Sequence, residues 1–165
     1  MYFLFNVILY SIFGFMFESC VCLIMNKPYD SGFTFGPYTL IYGFSLAIIF
    51  SLFRFVFKHI NRKVYSYLVC FLISFVLISI FEFSAGMLLE KLFDATYWSY
   101  SDMPLTFFKY VNLFVSLFWA SASLLIFKFI LPLTDKTFKY VRVWMILSMT
   151  SLILVDVFFS VISKL

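Results

Sequence analysis

Five long apolar runs, separated by short polar or Gly/Pro-rich connections, set the pattern of this chain. They extend from Tyr2 to Met25, Tyr38 to Phe57, Val64 to Phe93, Tyr110 to Leu131 and Val143 to Ile162. Each is near the ~20 residues that carry a helix across a ~30 Å hydrocarbon core. The pattern predicts an all-α, polytopic transmembrane helical bundle of about five spans with aromatic, Gly/Pro-rich outer loops. Residues 1–165 read as a single integral membrane domain. The first run predicts a retained span: it has no basic n-region, is too long for an h-region and carries Glu18.

Composition agrees with a lipid-embedded chain. Only 12% of residues are charged and 64% are hydrophobic, whereas soluble domains average about 25% charged. The 26 Phe and 11 Tyr fit packing surfaces, because Phe needs no polar partner. A net charge of +4 does not indicate nucleic acid, since the basic residues lie in short connections where they set topology and meet anionic headgroups. Arg54, Lys58, Arg62 and Lys63, with Lys128, Lys136, Lys139 and Arg142, fall on one side of the predicted spans. Lys27, Lys91, Lys109 and Lys164 fall on the other. The positive-inside rule then predicts a cytoplasmic amino terminus and an extracytoplasmic carboxyl terminus.

Within that topology the acids gather in the outer half. Glu18 and Glu82 interrupt apolar runs, and an ionisable group at that depth costs at least a few kcal/mol, which makes it a candidate for function. Glu18 sits roughly 10 Å inside the outer boundary at 1.5 Å per residue. Glu82 lies somewhat deeper, Glu90 near the surface and Asp156 at comparable height on the fifth span. Spacings of three and four place residues on one helix face. Ser11, Gly14 and Glu18 form one such stripe, and Glu82, Gly86 and Glu90 a second. Asn112, Ser116, Ala120 and Ser123 form a third, while Ser148, Asp156 and Ser160 are expected to share a face of the last span. The small and hydroxyl positions suit interhelical packing; Glu18 and Glu82 call for more, because Gln or Ser would pack without the cost of a charge. The two are expected to share one site.

The outer connections are unusual. NKPYDSGFTFGPYTLIYG, ahead of the second span, combines turn-forming Gly and Pro with aromatic residues. Irregular apolar backbone of this kind is tolerated in a membrane only when buried in protein or lining a cavity. DATYWSYSDMPLTF, ahead of the fourth span, is similar, with Tyr97, Trp98 and Tyr100 suited to an interfacial belt. Both are expected to form lids over the acids.

An embedded glutamate in the first span, GF..GPY..IYG, FE followed by LLEKLF, then WSYSDMP and SLFW together resemble the ABC-transporter type IV (CmpB-like) family of small bacterial membrane proteins. The resemblance covers most of Gly14 to Pro132. It carries motif positions onto Glu18, Gly32, Phe33, Gly36, Pro37, Tyr42, Gly43, Glu82, Glu90, Trp98, Tyr100, Ser101, Pro104, Ser116 and Trp119. The chain departs from the pattern at Ser31, Leu40, Ser99 and Ala120, where Arg, Pro, Asp and Gly are usual. Loss of that Arg and Asp implies that an ion pair between the outer loops is absent. The resemblance implies a bacterial plasma membrane and an ABC-type system.

The chain has no Walker A sequence, so an ATPase would be a separate polypeptide. His59 is the sole histidine and lies in a basic connection, which leaves no His-based metal site or catalytic base in the membrane. Cys20 and Cys22 point apart on a helix, and with Cys70 they read as buried, hydrophobe-like thiols. No enzyme activity, metal or cofactor is expected. The reading is a transport-related subunit whose outward acidic cavity binds a cation or cationic small solute. Glu18, Glu82, Glu90, Asp156, Tyr42, Trp98, Tyr100, Ser116 and Trp119 are its candidate contacts; Gly32, Gly36, Pro37, Gly43 and Pro104 shape its loops. The alternative is a structural or regulatory membrane protein whose acids only stabilise helix packing. A homo-oligomer or a separate membrane or ATPase partner is expected, because five spans are few for a complete transporter.

Overall fold

The computed structural model describes residues 1–24, 26 and 33–164. Five α-helices account for the five apolar runs: α1 (Tyr2–Ile24), α2 (Leu40–His59), α3 (Lys63–Phe93), α4 (Leu113–Phe138) and α5 (Val143–Ile162). All five are long and apolar enough to cross a membrane. The expected all-α fold is therefore what the chain forms. One small addition is an antiparallel pair, β1 (Thr106–Phe107) with β2 (Val111–Asn112), in which Thr106 faces Asn112 and Phe107 faces Val111.

The boundaries follow local chemistry. α3 stops at Phe93 because Asp94 adopts a left-handed conformation, φ 50°, and donates its N–H to the Glu90 carbonyl at 2.9 Å. α4 begins at Leu113 rather than Tyr110 because Asn112 caps it, Oδ1 accepting from the N–H groups of Phe114 and Val115 at 3.0 and 3.3 Å. It then continues through Pro132 to Phe138, beyond the expected end at Leu131. Proline removes one backbone donor, and here a single missing bond does not end the helix.

The chain divides into two compact units, Met1–Ala47 with Lys136–Leu165, and Ile48–Asp135. In the first, α1 and α2 approach closely through glycine. A Cβ on Gly43 would strike the Ser11 hydroxyl and the Val7 carbonyl, and one on Gly14 would strike the Tyr42 ring. The Thr39 N–H donates to the Ser11 carbonyl at 3.0 Å. Ser11 is 13 residues, about 20 Å of helix, before the end of α1 at Ile24. The segment leading into α2 thus re-enters along α1 to about its midpoint.

In the second unit, α3 and α4 pack through serines. Ser79 donates to Ser116 at 3.2 Å and Ser123 to Ser74 at 2.8 Å. Asn112, Ser116, Ala120 and Ser123 are all essentially inaccessible, so the third stripe is a packing face. Phe50, Phe53 and Phe57 gather around Phe127, with ring centroids 5.8, 5.0 and 5.4 Å from it.

Two expectations about faces and thiols are corrected. Ser148 is exposed and returns its hydroxyl to the Trp144 carbonyl, while Ser160 is fully buried. Eight positions separate Ser148 from Asp156, an offset of roughly 80° at 3.6 residues per turn, enough to leave the shared face. Cys20 is exposed on α1, and among the three thiols only Cys70 is fully buried.

Candidate functional site

Each of Glu18, Glu82, Glu90 and Asp156 is held by an aromatic inter-helix segment of its own unit, and a tyrosine is a donor to every one. In the first unit Glu18, on α1, accepts from the Tyr42 hydroxyl at 2.9 Å through Oε1 and from the Thr39 hydroxyl at 3.3 Å through Oε2. Asp156, on α5, takes both the Tyr38 hydroxyl and the Gly36 N–H, the latter at 3.2 Å, on Oδ2. Thr34 donates to the Tyr38 carbonyl at 3.0 Å, which closes the turn around Gly36 and Pro37. Tyr38 precedes α2; burial first, then the Asp156 carboxylate, pushes its phenol well above the ordinary range and holds it protonated.

In the second unit Glu90, near the end of α3, takes the Lys109 ammonium and, at 3.3 Å, the Thr96 hydroxyl on Oε1, and the Tyr110 hydroxyl on Oε2. The Tyr110 ring lies against Gly86, where a Cβ would meet it. Trp98 donates its indole N–H to the Tyr110 carbonyl at 3.4 Å. Tyr100 hydrogen-bonds the Glu82 carboxylate through its side chain, yet Glu82 Oε2 is buried with no hydrogen-bond partner among the described residues. The Pro104 carbonyl accepts from Asn112 Nδ2 at 2.8 Å, so the turn is pinned to the cap of α4.

The candidate residues therefore separate into groups. Glu18 joins Tyr42 and Thr39; Asp156 joins Gly36 and Tyr38; Glu90 joins Lys109 and Tyr110; Glu82 joins Tyr100. Ser116 belongs to the α3–α4 packing face, Gly43 to the α1–α2 contact, and Trp119 stands edge-on to Phe118 with ring centroids 5.4 Å apart. Ser99 and Ser101 bond each other through their hydroxyls at 2.9 Å. Gly32 and Ser31 lie outside the described residues. Glu18 and Glu82 fall in different units, each with donors from within its own.

Tyr38, Lys109 and Tyr110 are functional-site residues that the sequence pattern does not single out. In the sequence Tyr38 and Tyr110 stand at the starts of apolar runs, and each immediately follows a Pro- or Lys-containing turn, the signal that sets it apart from the span. Lys109 reads from the sequence only as a topology charge.

A family model described as "Putative ABC-transporter type IV" matches residues 3–161 of the chain. Comparisons with curated proteins and with solved structures return no match.

Proposed function

Because the chain belongs to the ABC-transporter type IV family, with five helices that make it a multi-pass membrane protein, we propose that it is the membrane subunit of an ABC-type system and that Glu82 is its solute contact. Its role is transport-linked rather than catalytic, in a bacterial plasma membrane, and ATP hydrolysis falls to a separate polypeptide. The observation that supports a contact at Glu82 is its Oε2, a buried carboxylate oxygen with no donor among the described residues. A buried acceptor left unmade is costly and gains from any donor that reaches it. The chemistry suited to it is a monovalent cation or a small cationic solute such as an alkylammonium. The cavity expected around Glu18 and Glu82 together narrows on this reading to one glutamate.

The purified protein heated in potassium, sodium or methylammonium chloride against tetramethylammonium chloride, which carries no N–H donor, at equal ionic strength tests this. One of the three cations should raise the unfolding temperature in the parent and leave Glu82→Gln unmoved. Equal shifts in both proteins, or none in either, remove Glu82 as a solute contact.

A structural reading is favoured for Glu18 and Glu90, whose two oxygens are all supplied with donors. These acids stabilise the outer segments.

A further inference from the structure

Glu82, Gly86 and Glu90 follow one another at four-residue steps along α3, and residues 96–112, in the same unit, make contacts at all three. At one end Tyr100 hydrogen-bonds Glu82, and the Phe108 ring stands 5.2 Å from that of Phe83. At the other, Glu90 takes the Lys109 ammonium and the hydroxyls of Thr96 and Tyr110. Between them the Tyr110 ring lies on Gly86, one turn from each glutamate. The two ends are joined through the segment's own backbone. The Tyr100 N–H donates to the Lys109 carbonyl at 2.8 Å, and the Trp98 indole N–H to the Tyr110 carbonyl at 3.4 Å. The stretch that brings a donor to Glu82 is therefore bonded to the stretch that brings donors to Glu90, and a displacement at Glu90 is carried to Glu82.

We propose that residues 96–112 are the cover over Glu82, with Glu90 as its catch and the Tyr110 ring as the barrier between a half-exposed entry and the buried contact. This rests on the reading of Glu82 as the solute contact and adds how a solute is admitted to it. The Glu90–Lys109 pair suits an entry, because its side chains are 40% and 36% exposed and an ion pair open to water exchanges partners at small cost. A cationic solute arriving there finds the acceptor that Lys109 holds and takes its place. Loss of the Lys109 contact then loosens Tyr110, the next residue, and through the Lys109 carbonyl it loosens Tyr100 at Glu82. Gly86 is what lets the barrier seat so closely: a Cβ there would stand 2.5 Å from the ring carbons.

Carboxylate modification in the full-length, detergent-solubilised protein tests this. A water-soluble carbodiimide with glycine methyl ester amidates carboxyl groups it can reach, and fragment-ion mass spectrometry locates the product at Glu82. Tyr110→Phe keeps the ring and deletes only the hydroxyl. It should speed modification of Glu82 about tenfold, the fold-change that goes with one hydrogen bond to a charged group. Gly86→Ala, which displaces the same ring from the α3 side, should act in the same direction. Both variants leave every charge in place, so attraction of a cationic reagent does not account for the change. Lys109→Gln should speed the reaction about threefold, as for a partly exposed ion pair, and Lys109→Arg should stay close to the parent. Ser99→Ala, whose hydroxyl pairs with Ser101 inside the segment at 2.9 Å, should leave Glu82 protected. Native Cys70, fully buried on α3, should remain unlabelled by maleimide throughout. The proposal is overturned if Tyr110→Phe and Lys109→Gln leave Glu82 as slow to react as in the parent, or if Cys70 becomes reactive together with Glu82, which would mean that these contacts hold the bundle and not a cover. No solute enters this measurement. A missing cation shift in the heating test therefore removes the contact at Glu82 and not the cover, whereas a protected Glu82 removes the cover and not the contact.

Discussion

The Ser123 hydroxyl donates to Ser74 Oγ at 2.8 Å, and Ser74 in turn donates to the Cys70 carbonyl at 2.9 Å. This two-step chain links α4 to α3 at a point where all three residues are buried. Hydroxyl pairs between membrane helices are modest in energy, averaging about 0.6 kcal/mol, because the separated helices also find partners. Close packing matters more. Ala120, one turn away, has no accessible surface.

Ser123→Ala should therefore cost about 0.5–1 kcal/mol, and Ala120→Leu more, about 1–3 kcal/mol, because extra methylenes force α3 and α4 apart. Unfolding midpoints in detergent, or in a lipid nanodisc, check the order. An Ala120→Leu protein as stable as the parent would show that this face is loosely packed.

Asn112 makes a sharper case, because one buried side chain ties the Pro104–Thr106 turn to the start of α4. Its Oδ1 caps α4 while Nδ2 donates to the Pro104 carbonyl and to the Thr106 hydroxyl, at 2.8 and 3.0 Å. Asn112→Asp should keep the cap and lose both donations, whereas Asn112→Ala loses everything. The alanine variant is expected to cost about 1–2 kcal/mol for the cap alone, with unmet buried acceptors adding to it. The measurement is again the unfolding midpoint, together with labelling of Val111→Cys. Equal loss in the two variants would assign the whole effect to the donations, and no cap would remain to credit.

The five spans were readable because apolar length is a property of local sequence that no tertiary contact overrides in lipid. The serine and glycine faces were readable for a related reason: spacing of three and four fixes which residues share a side, as Asn112, Ser116, Ala120 and Ser123 show. Over longer separations the inference weakened. Ser148 drifted off the face of Asp156, and Asn112, read as part of a packing stripe, is also a helix cap. The acids are legible together with two of their donors, Tyr42 and Tyr100, whereas Tyr38, Lys109 and Tyr110 are not, since they reach Asp156 and Glu90 across 118, 19 and 20 residues. Among 11 tyrosines, a preceding Pro37 or Lys109 marks Tyr38 and Tyr110 as turn residues but does not say which acid they reach.

The Tyr38–Asp156 contact predicts a pH effect with a definite sign. Because the folded phenol is held protonated above the ordinary value of about 10, the folded state binds more protons than the unfolded state at alkaline pH. Its stabilising contribution is fully present below about pH 10 and declines as pH rises past that point. Thermal unfolding between pH 8 and 11 should show the parent losing stability faster than Tyr38→Phe, which has no proton to keep. Asp156→Asn should flatten the profile as well, as the neutral amide no longer favours the protonated phenol. Parallel profiles for all three proteins would remove this contact as the source of alkaline sensitivity.

Orientation rests on charge. Arg54, Lys58, Arg62 and Lys63 cluster around the α2–α3 connection, and Lys128, Lys136, Lys139 and Arg142 around that between α4 and α5. Arg54 is paired with Asp135, but both side chains are more than 40% exposed, so the pair contributes at most about 1 kcal/mol and leaves the topological signal largely intact. Acidic residues contribute little to that signal in any case. A reporter inserted at Arg62 should therefore be cytoplasmic, and one fused to the carboxyl terminus extracytoplasmic. Replacing Arg62 and Lys63 by Gln should weaken the bias and produce a mixed population, since the second basic connection still favours the same orientation. A reversed pair of reporters would place the aromatic segments, the four acids and the unpartnered Glu82 oxygen in the cytoplasmic half, and any solute bound there would enter from the inside.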